Sequence, residues 1–148
     1  MTKKEGRPTP LGAEVKREQV NFAVEAPQGK TCELLLYRKG EPEPAFCFDM
    51  PYREETGDVR FLALADFPAQ EYEYNYRIGE EIFVDPYARK LAGTEKFHDI
   101  CDARDCQVRG VLYVDDYDWE GDRRPRIPMH RVVAYSLHVR GFTKHTSS

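Results

Sequence analysis

The feature that most constrains this chain is a short-range alternation that keeps being interrupted. Apolar and polar residues alternate for a few positions, then Gly, Pro or Asp ends the run, and the pattern recurs roughly every dozen residues with little helical periodicity. Successive strand side chains point to opposite faces, so such runs predict half-buried strands and a β-sandwich or barrel. Gln19 to Val24 puts Val20, Phe22 and Val24 on one face, with Pro27 to Gly29 ending it. Thr31 to Arg38 is apolar on nearly both faces, as a central strand would be. Ala45 to Met50 and Val59 to Leu64 predict two more strands. Tyr72, Tyr74 and Tyr76 alternate with Glu73, Asn75 and Arg77 before a turn at Gly79, a return over 81–84 and a stop at Asp85-Pro86. Residues 108–114 predict a weaker strand, and 86–105 give no clear assignment.

Composition supports a folded chain. At 148 residues there is room for one ordinary domain, and 8 Phe, 9 Tyr and 1 Trp offer enough apolar surface to offset chain entropy. No apolar run approaches the ~20 residues of a membrane helix, and no signal-peptide pattern follows Met1, so a cytoplasmic protein with four reduced thiols (Cys32, Cys47, Cys101, Cys106) is expected. The net charge of −4 opposes a nucleic-acid partner. That charge is uneven: residues 122–148 carry six basic side chains and one acid, and the change falls near Gly121. The expected organisation is an N-terminal arm (1–13), a β-sandwich (14–121) and a basic linker with one further strand (122–148).

That further strand differs in kind. Over 131–139 Val133, Tyr135, Leu137 and Val139 share one face and Val132, Ala134 and Ser136 the other, so neither side is plainly polar. A strand buried on both faces belongs in a parallel sheet, and the nine residues after it are too few for a crossover helix and a second strand. The chain therefore reads as the front of something longer. Residues 132–139 are expected to add to a sandwich edge or to pair with another chain as an edge-strand dimer.

Several segments carry a family resemblance. Tyr135-Ser-Leu-His-Val-Arg-Gly-Phe-Thr143 resembles the first barrel strand of glycoside hydrolase family 13 enzymes that act on α-glucans. Ahead of it, Val20 to Pro27, Tyr74 to Tyr76, Asp85-Pro-Tyr-Ala88 and Tyr117 to Asp122 are similar, in order, to the N-terminal module of pullulanases, isoamylases and glycogen debranching enzymes, carbohydrate-binding module family 48. The family often has an aromatic residue where this chain has Glu25. The resemblance implies an immunoglobulin-like β-sandwich, then a linker and the isolated first strand of a truncated (β/α)8 barrel. It further implies a parent enzyme that hydrolyses α-1,6-glucosidic branches, no catalytic residue in this stretch, no cofactor, and as partners an α-glucan (glycogen, pullulan or starch-like) and the chain's own barrel in cis. A stand-alone glycogen-binding or regulatory module, and the same module of a branching enzyme or glucanotransferase, are the alternatives.

Given that resemblance, Tyr72, Tyr74 and Tyr76 are the candidate glycan-binding residues: one strand face could present three rings to glucose units, although the same spacing also suits the inward face of a sandwich. His98 to Cys106 gathers His, Cys and Asp without a second ligand pair at zinc spacing. Asp116 to Gly121 opens like a calcium loop but has Ile127 where the loop needs a bidentate Glu, so no metal is expected. Trp119 is expected to pack, and His138 and Arg140 to serve barrel packing or a domain interface.

Overall fold

The structure is a computed structural model that describes residues 1–17, 19–94, 108–114 and 117–144. It contains two compact units, Met1–Asp115 and Asp116–Ser148. The first is built from ten strands: β1 (Thr2–Lys4), β2 (Gly12–Lys16), β3 (Gln19–Glu25), β4 (Cys32–Arg38), β5 (Pro44–Asp49), β6 (Val59–Ala65), β7 (Tyr72–Ile78), β8 (Glu81–Phe83), β9 (Leu91–Ala92) and β10 (Arg109–Val111). Single 3-10 turns at Glu54–Thr56 and Ala69–Glu71 are its remaining regular elements among the described residues.

The strands form two antiparallel sheets. One runs β1-β6-β3-β2, with β3 and β6 paired from Gln19↔Ala65 to Glu25↔Val59. The other runs β5-β4-β7-β10-β9, and the second edge of β7 is shared, since β10 takes Glu73 and Tyr74 while β8 takes Tyr76 to Ile78. The alternation read from the sequence sets what lies between the sheets: Val20, Phe22 and Val24 of β3, Leu62 and Leu64 of β6, Leu34 and Leu36 of β4, and the three tyrosines of β7 form one buried cluster. Each such aliphatic or Phe side chain taken fully from water contributes about 1.5–3 kcal/mol. The central position expected for Thr31 to Arg38 is observed, because Leu35 and Tyr37, on the opposite face of β4, are also buried.

One end of this core is closed by a charge. Arg60 is buried with no carboxylate partner among the described residues; its guanidinium donates to the carbonyls of Gly57 (2.9 Å) and Pro27 (3.4 Å) and lies 4.5 Å from the Tyr52 ring centroid. Carbonyl acceptors and a ring face together stand in for the water the cation has lost.

The two ends of the chain differ. The N-terminal residues pair with the sandwich: β1 with β6 (Thr2↔Ala65) and β2 with β3 (Gly12↔Ala23 to Lys16↔Gln19). Between these strands the Asn21 side chain accepts from the Arg7 amide (2.8 Å) and donates to the Arg7 carbonyl (3.0 Å), pinning the crossing segment. A Cβ on Gly6 would lie 2.6 Å from the Leu62 backbone, so the crossing fits only without a side chain.

Residues 132–138 belong to no sheet. Val133, Tyr135 and Leu137 are exposed, and a helical turn, α1 (Val139–Phe142), follows. An alternating run becomes a strand only when a second strand receives its amides and carbonyls. None does so among the described residues, and the expected addition to a sandwich edge is not made. His138 instead caps α1, its Nδ1 accepting from the Gly141 amide (3.1 Å).

Candidate functional site

The three candidate tyrosines are interior. Tyr72, Tyr74 and Tyr76 are 4%, 1% and 0% exposed, which leaves no ring face for a sugar. Phe22 meets Tyr74 edge-on at 5.4 Å, Tyr74 meets Tyr76 at 5.7 Å, and Tyr72 lies between Phe67 (5.0 Å) and Phe46 (5.9 Å). The i, i+2, i+4 spacing thus marks the inward face of β7, because the opposing sheet supplies aromatic and aliphatic partners that a sugar would have to displace.

What the tyrosines do is position something else. The Tyr74 hydroxyl donates to Asp85 Oδ2 (2.6 Å), and Asp85 Oδ1 accepts from the Tyr87 amide (2.8 Å). The Ala88 amide donates to the Asp85 carbonyl (3.1 Å). Asp85 is 2% exposed, and burial raises its pKa above the ordinary value although both hydrogen bonds act to lower it. The same burial, together with the neighbouring carboxylate, holds the Tyr74 hydroxyl far above its usual range. The Asp85-Pro-Tyr-Ala88 run is therefore a turn tied to the core by its first residue, and it fixes where Pro86 and Tyr87 stand.

Beside this turn is a groove of about 500 Å³. Val24, Pro27, Tyr76 and Ile78 are among its lining residues, Phe83, Pro86 and Tyr87 belong to it from the β8 side, and Glu25 and Lys30 contribute one charge of each sign. Phe83 and Tyr87 are 43% and 53% exposed, so both rings present area to solvent. Tyr76 also lines the groove, and its hydroxyl, buried in the core, has no hydrogen-bond partner among the described residues. An unmatched buried hydroxyl costs about 1–3 kcal/mol, which a fold tolerates where something else is served. Apolar walls, two open rings and a few polar groups make a surface suited to an amphipathic neutral ligand.

Other candidates fare differently. His98 to Cys106 and Asp116 lie outside the described residues. Trp119 is 66% exposed and touches Tyr117 edge-on at 4.9 Å, so it is not packed into a core as expected. Of the cysteines described, Cys32 is buried, its thiol pushed up to about 11 by desolvation, and Cys47 is exposed on β5.

Comparison with known proteins bears on these features. The family model for carbohydrate-binding module 48, the isoamylase N-terminal domain, matches residues 10–88, more than half of the chain and the whole span of the groove. The chain belongs to the carbohydrate-binding module 48 family. Among its curated relatives, chloroplastic isoamylase 1 of Arabidopsis thaliana is 29% identical over 97% of this chain, and the glycogen debranching enzyme of Enterobacter sp. (strain 638) is 32% identical over 93%. The chain spans 21% and 24% of the length of those two proteins. Among solved structures, the pullulanase of Bacillus acidopullulyticus superposes with a TM-score of 0.59 over 77% of this chain and 13% of its own, at 21% identity. Type I pullulanase of Bacillus subtilis str. 168, solved with maltose, gives 0.56 over 78% of this chain and 15% of its own at 22%. These superpositions establish the two-sheet fold of the module 48 domain.

Proposed function

We propose that this chain is the non-catalytic N-terminal part of an α-glucan debranching enzyme, a module 48 domain that stands beside a (β/α)8 barrel in cis. The observation that carries this reading is where the similarity ends. The family model stops at residue 88, yet alignments with isoamylase and glycogen debranching enzymes cover 93–97% of the chain. Residues beyond the module therefore also resemble such enzymes, and a stand-alone glycogen-binding module has no need of them. On this reading 132–139, apolar on both faces, becomes a strand only when barrel neighbours pair with it. The barrel brings the two carboxylates that retaining glycoside hydrolysis holds about 5–5.5 Å apart.

The test is hydrolysis of pullulan, followed by reducing-end release, with the full natural polypeptide and with the 148-residue chain. The polypeptide is expected to cleave α-1,6 bonds and the chain alone to cleave none. A natural product that stops near Ser148, or a barrel that transfers glucan chains without hydrolysing branches, would overturn the assignment.

A further inference from the structure

We infer that a second cavity, between β1 and the segment after β5, binds a phosphate group, free or carried on a small ester, with Lys4 and Arg53 as its ligands and Lys3 as a further cation. This site shares no lining residue with the groove and goes beyond the accessory-module reading above.

The argument begins with charge. The cavity has a volume of about 470 Å³, within the range of small-ligand sites, and its lining includes Lys3, Lys4, Glu5, Arg53 and Phe61. Three cations thus stand against one carboxylate, in a chain whose net charge is −4. Asp49, Glu54 and Glu55, close by in sequence, are exposed and are not part of the lining. A lining with positive charge in excess favours an anion, and a guanidinium fork beside an ammonium supplies the N–H donors that the several oxygens of a phosphate accept.

A second observation is that these cations are held in place more than they are neutralised. Lys3 Nζ donates to the Asp49 carbonyl (2.6 Å), which fixes the ammonium and leaves its charge uncompensated. The Arg53 guanidinium lies 4.9 Å from the centroid of the buried Phe61 ring, whose face orients it. Its carboxylate partner, Glu5 (2.8 Å), has a side chain 73% exposed, and an ion pair so open to water is weak enough for an incoming phosphate to displace. Lys4 has no ion-pair partner among the described residues. The neighbouring cavity of about 650 Å³ shows the contrast, because there Glu14 pairs with both Arg7 and Lys16 and their charge is already spent.

Titration of the full chain with inorganic phosphate, glucose 6-phosphate and glucose, at pH 7.5 and an ionic strength held constant with sodium chloride, followed by amide NMR shifts, tests this. Both phosphates are expected to shift the amides of residues 3–5, 52–53 and 60–62, and glucose to leave them in place. Lys4→Gln should weaken binding at least about threefold and Arg53→Gln at least about tenfold, with Arg53→Lys, which keeps the charge and loses the fork, between the two. Native amide dispersion confirms folding in each variant, and Lys4→Gln alters only an exposed side chain, so it decides the matter even if Arg53→Gln unfolds. The tighter of the two phosphates identifies the source, free ion or sugar ester. Shifts that sodium chloride alone reproduces, binding unchanged by Lys4→Gln, or shifts centred on Arg7, Lys16 and Arg17 would each overturn the inference. None of these readouts involves pullulan hydrolysis, so the phosphate site and the accessory role stand or fall separately.

Discussion

Removing the Asp85 carboxylate is the sharpest probe of how the module holds its surface. In Asp85→Ala the Tyr74 hydroxyl, buried in the core, loses its acceptor, and the Tyr87 amide loses its own. An orphaned buried hydroxyl costs about 1–3 kcal/mol and a lost amide bond about 1 kcal/mol, so the substitution should destabilise the chain by about 2–4 kcal/mol. Urea unfolding at pH 7 reads this as a lower midpoint at constant slope. Combining it with Tyr74→Phe is decisive: once the hydroxyl is gone nothing is orphaned there, and the added cost of Asp85→Ala should fall to about 1 kcal/mol. A cost below about 0.5 kcal/mol, or one that Tyr74→Phe does not change, would refute the account.

The same residue sets a pH dependence whose sign follows from burial. Desolvation raises the native pKa of Asp85 above 3.8, outweighing the bonds from Tyr74 and Tyr87. The native state therefore holds this proton more tightly than the unfolded chain does. The stability so contributed is fully present below 3.8 and is lost as pH rises through the raised native value. Asp85→Asn cannot titrate and keeps an acceptor for the Tyr87 amide, so the stability of wild type relative to this variant should fall across that window. A difference that rises or stays flat with pH would show that the hydrogen bonds, not desolvation, dominate.

Three further outcomes are expected. Arg109→Ala should cost about 3 kcal/mol in urea unfolding and speed proteolysis near 40–44, because its guanidinium lies 3.8 Å from the Tyr37 ring centroid, donates to the carbonyls of Glu41 (2.8 Å) and Pro42 (3.1 Å), and stands 3.6 Å from Glu73. Gly110→Ala should lower the midpoint by a similar route to overpacking, about 1–3 kcal/mol, since its Cβ would come within 2.6 Å of the Tyr74 ring. Native alkylation at pH 8, mapped by mass spectrometry, should modify exposed Cys47, whereas Cys32, buried with a pKa near 11, should react only after denaturation.

How far the sequence carried this molecule depends on where each element finds its partners. Strands β3, β4, β6 and β7 were legible because their alternation is itself the imprint of a two-sheet core. Strands β1, β2 and β9 lie at sheet edges or are two residues long, and they owe their form to backbone pairing with β6, β3 and β10, which leaves little mark on side-chain pattern. Residues 132–139 show the converse: a strong pattern produces no strand without a neighbouring backbone.

The tyrosines of β7 could face either way on local evidence, and Phe22, distant in sequence, decides with Phe67, just ahead of β7, that they face inward. The groove was harder still, being assembled from 24–30, 76–78 and 83–87. One local signal pointed to it. Glu81-Ile-Phe-Val84 lacks the polar face that an ordinary surface hairpin shows, and Tyr87 follows immediately after Asp85-Pro86, a sequence that ends strands. Apolar residues on a short return strand have no core left to fill once β4, β7 and β10 have claimed the sheet. Ile82 and Phe83 must then stay partly open to solvent, as they do at 45% and 43%, and an apolar patch kept open in this way is where a ligand is to be sought.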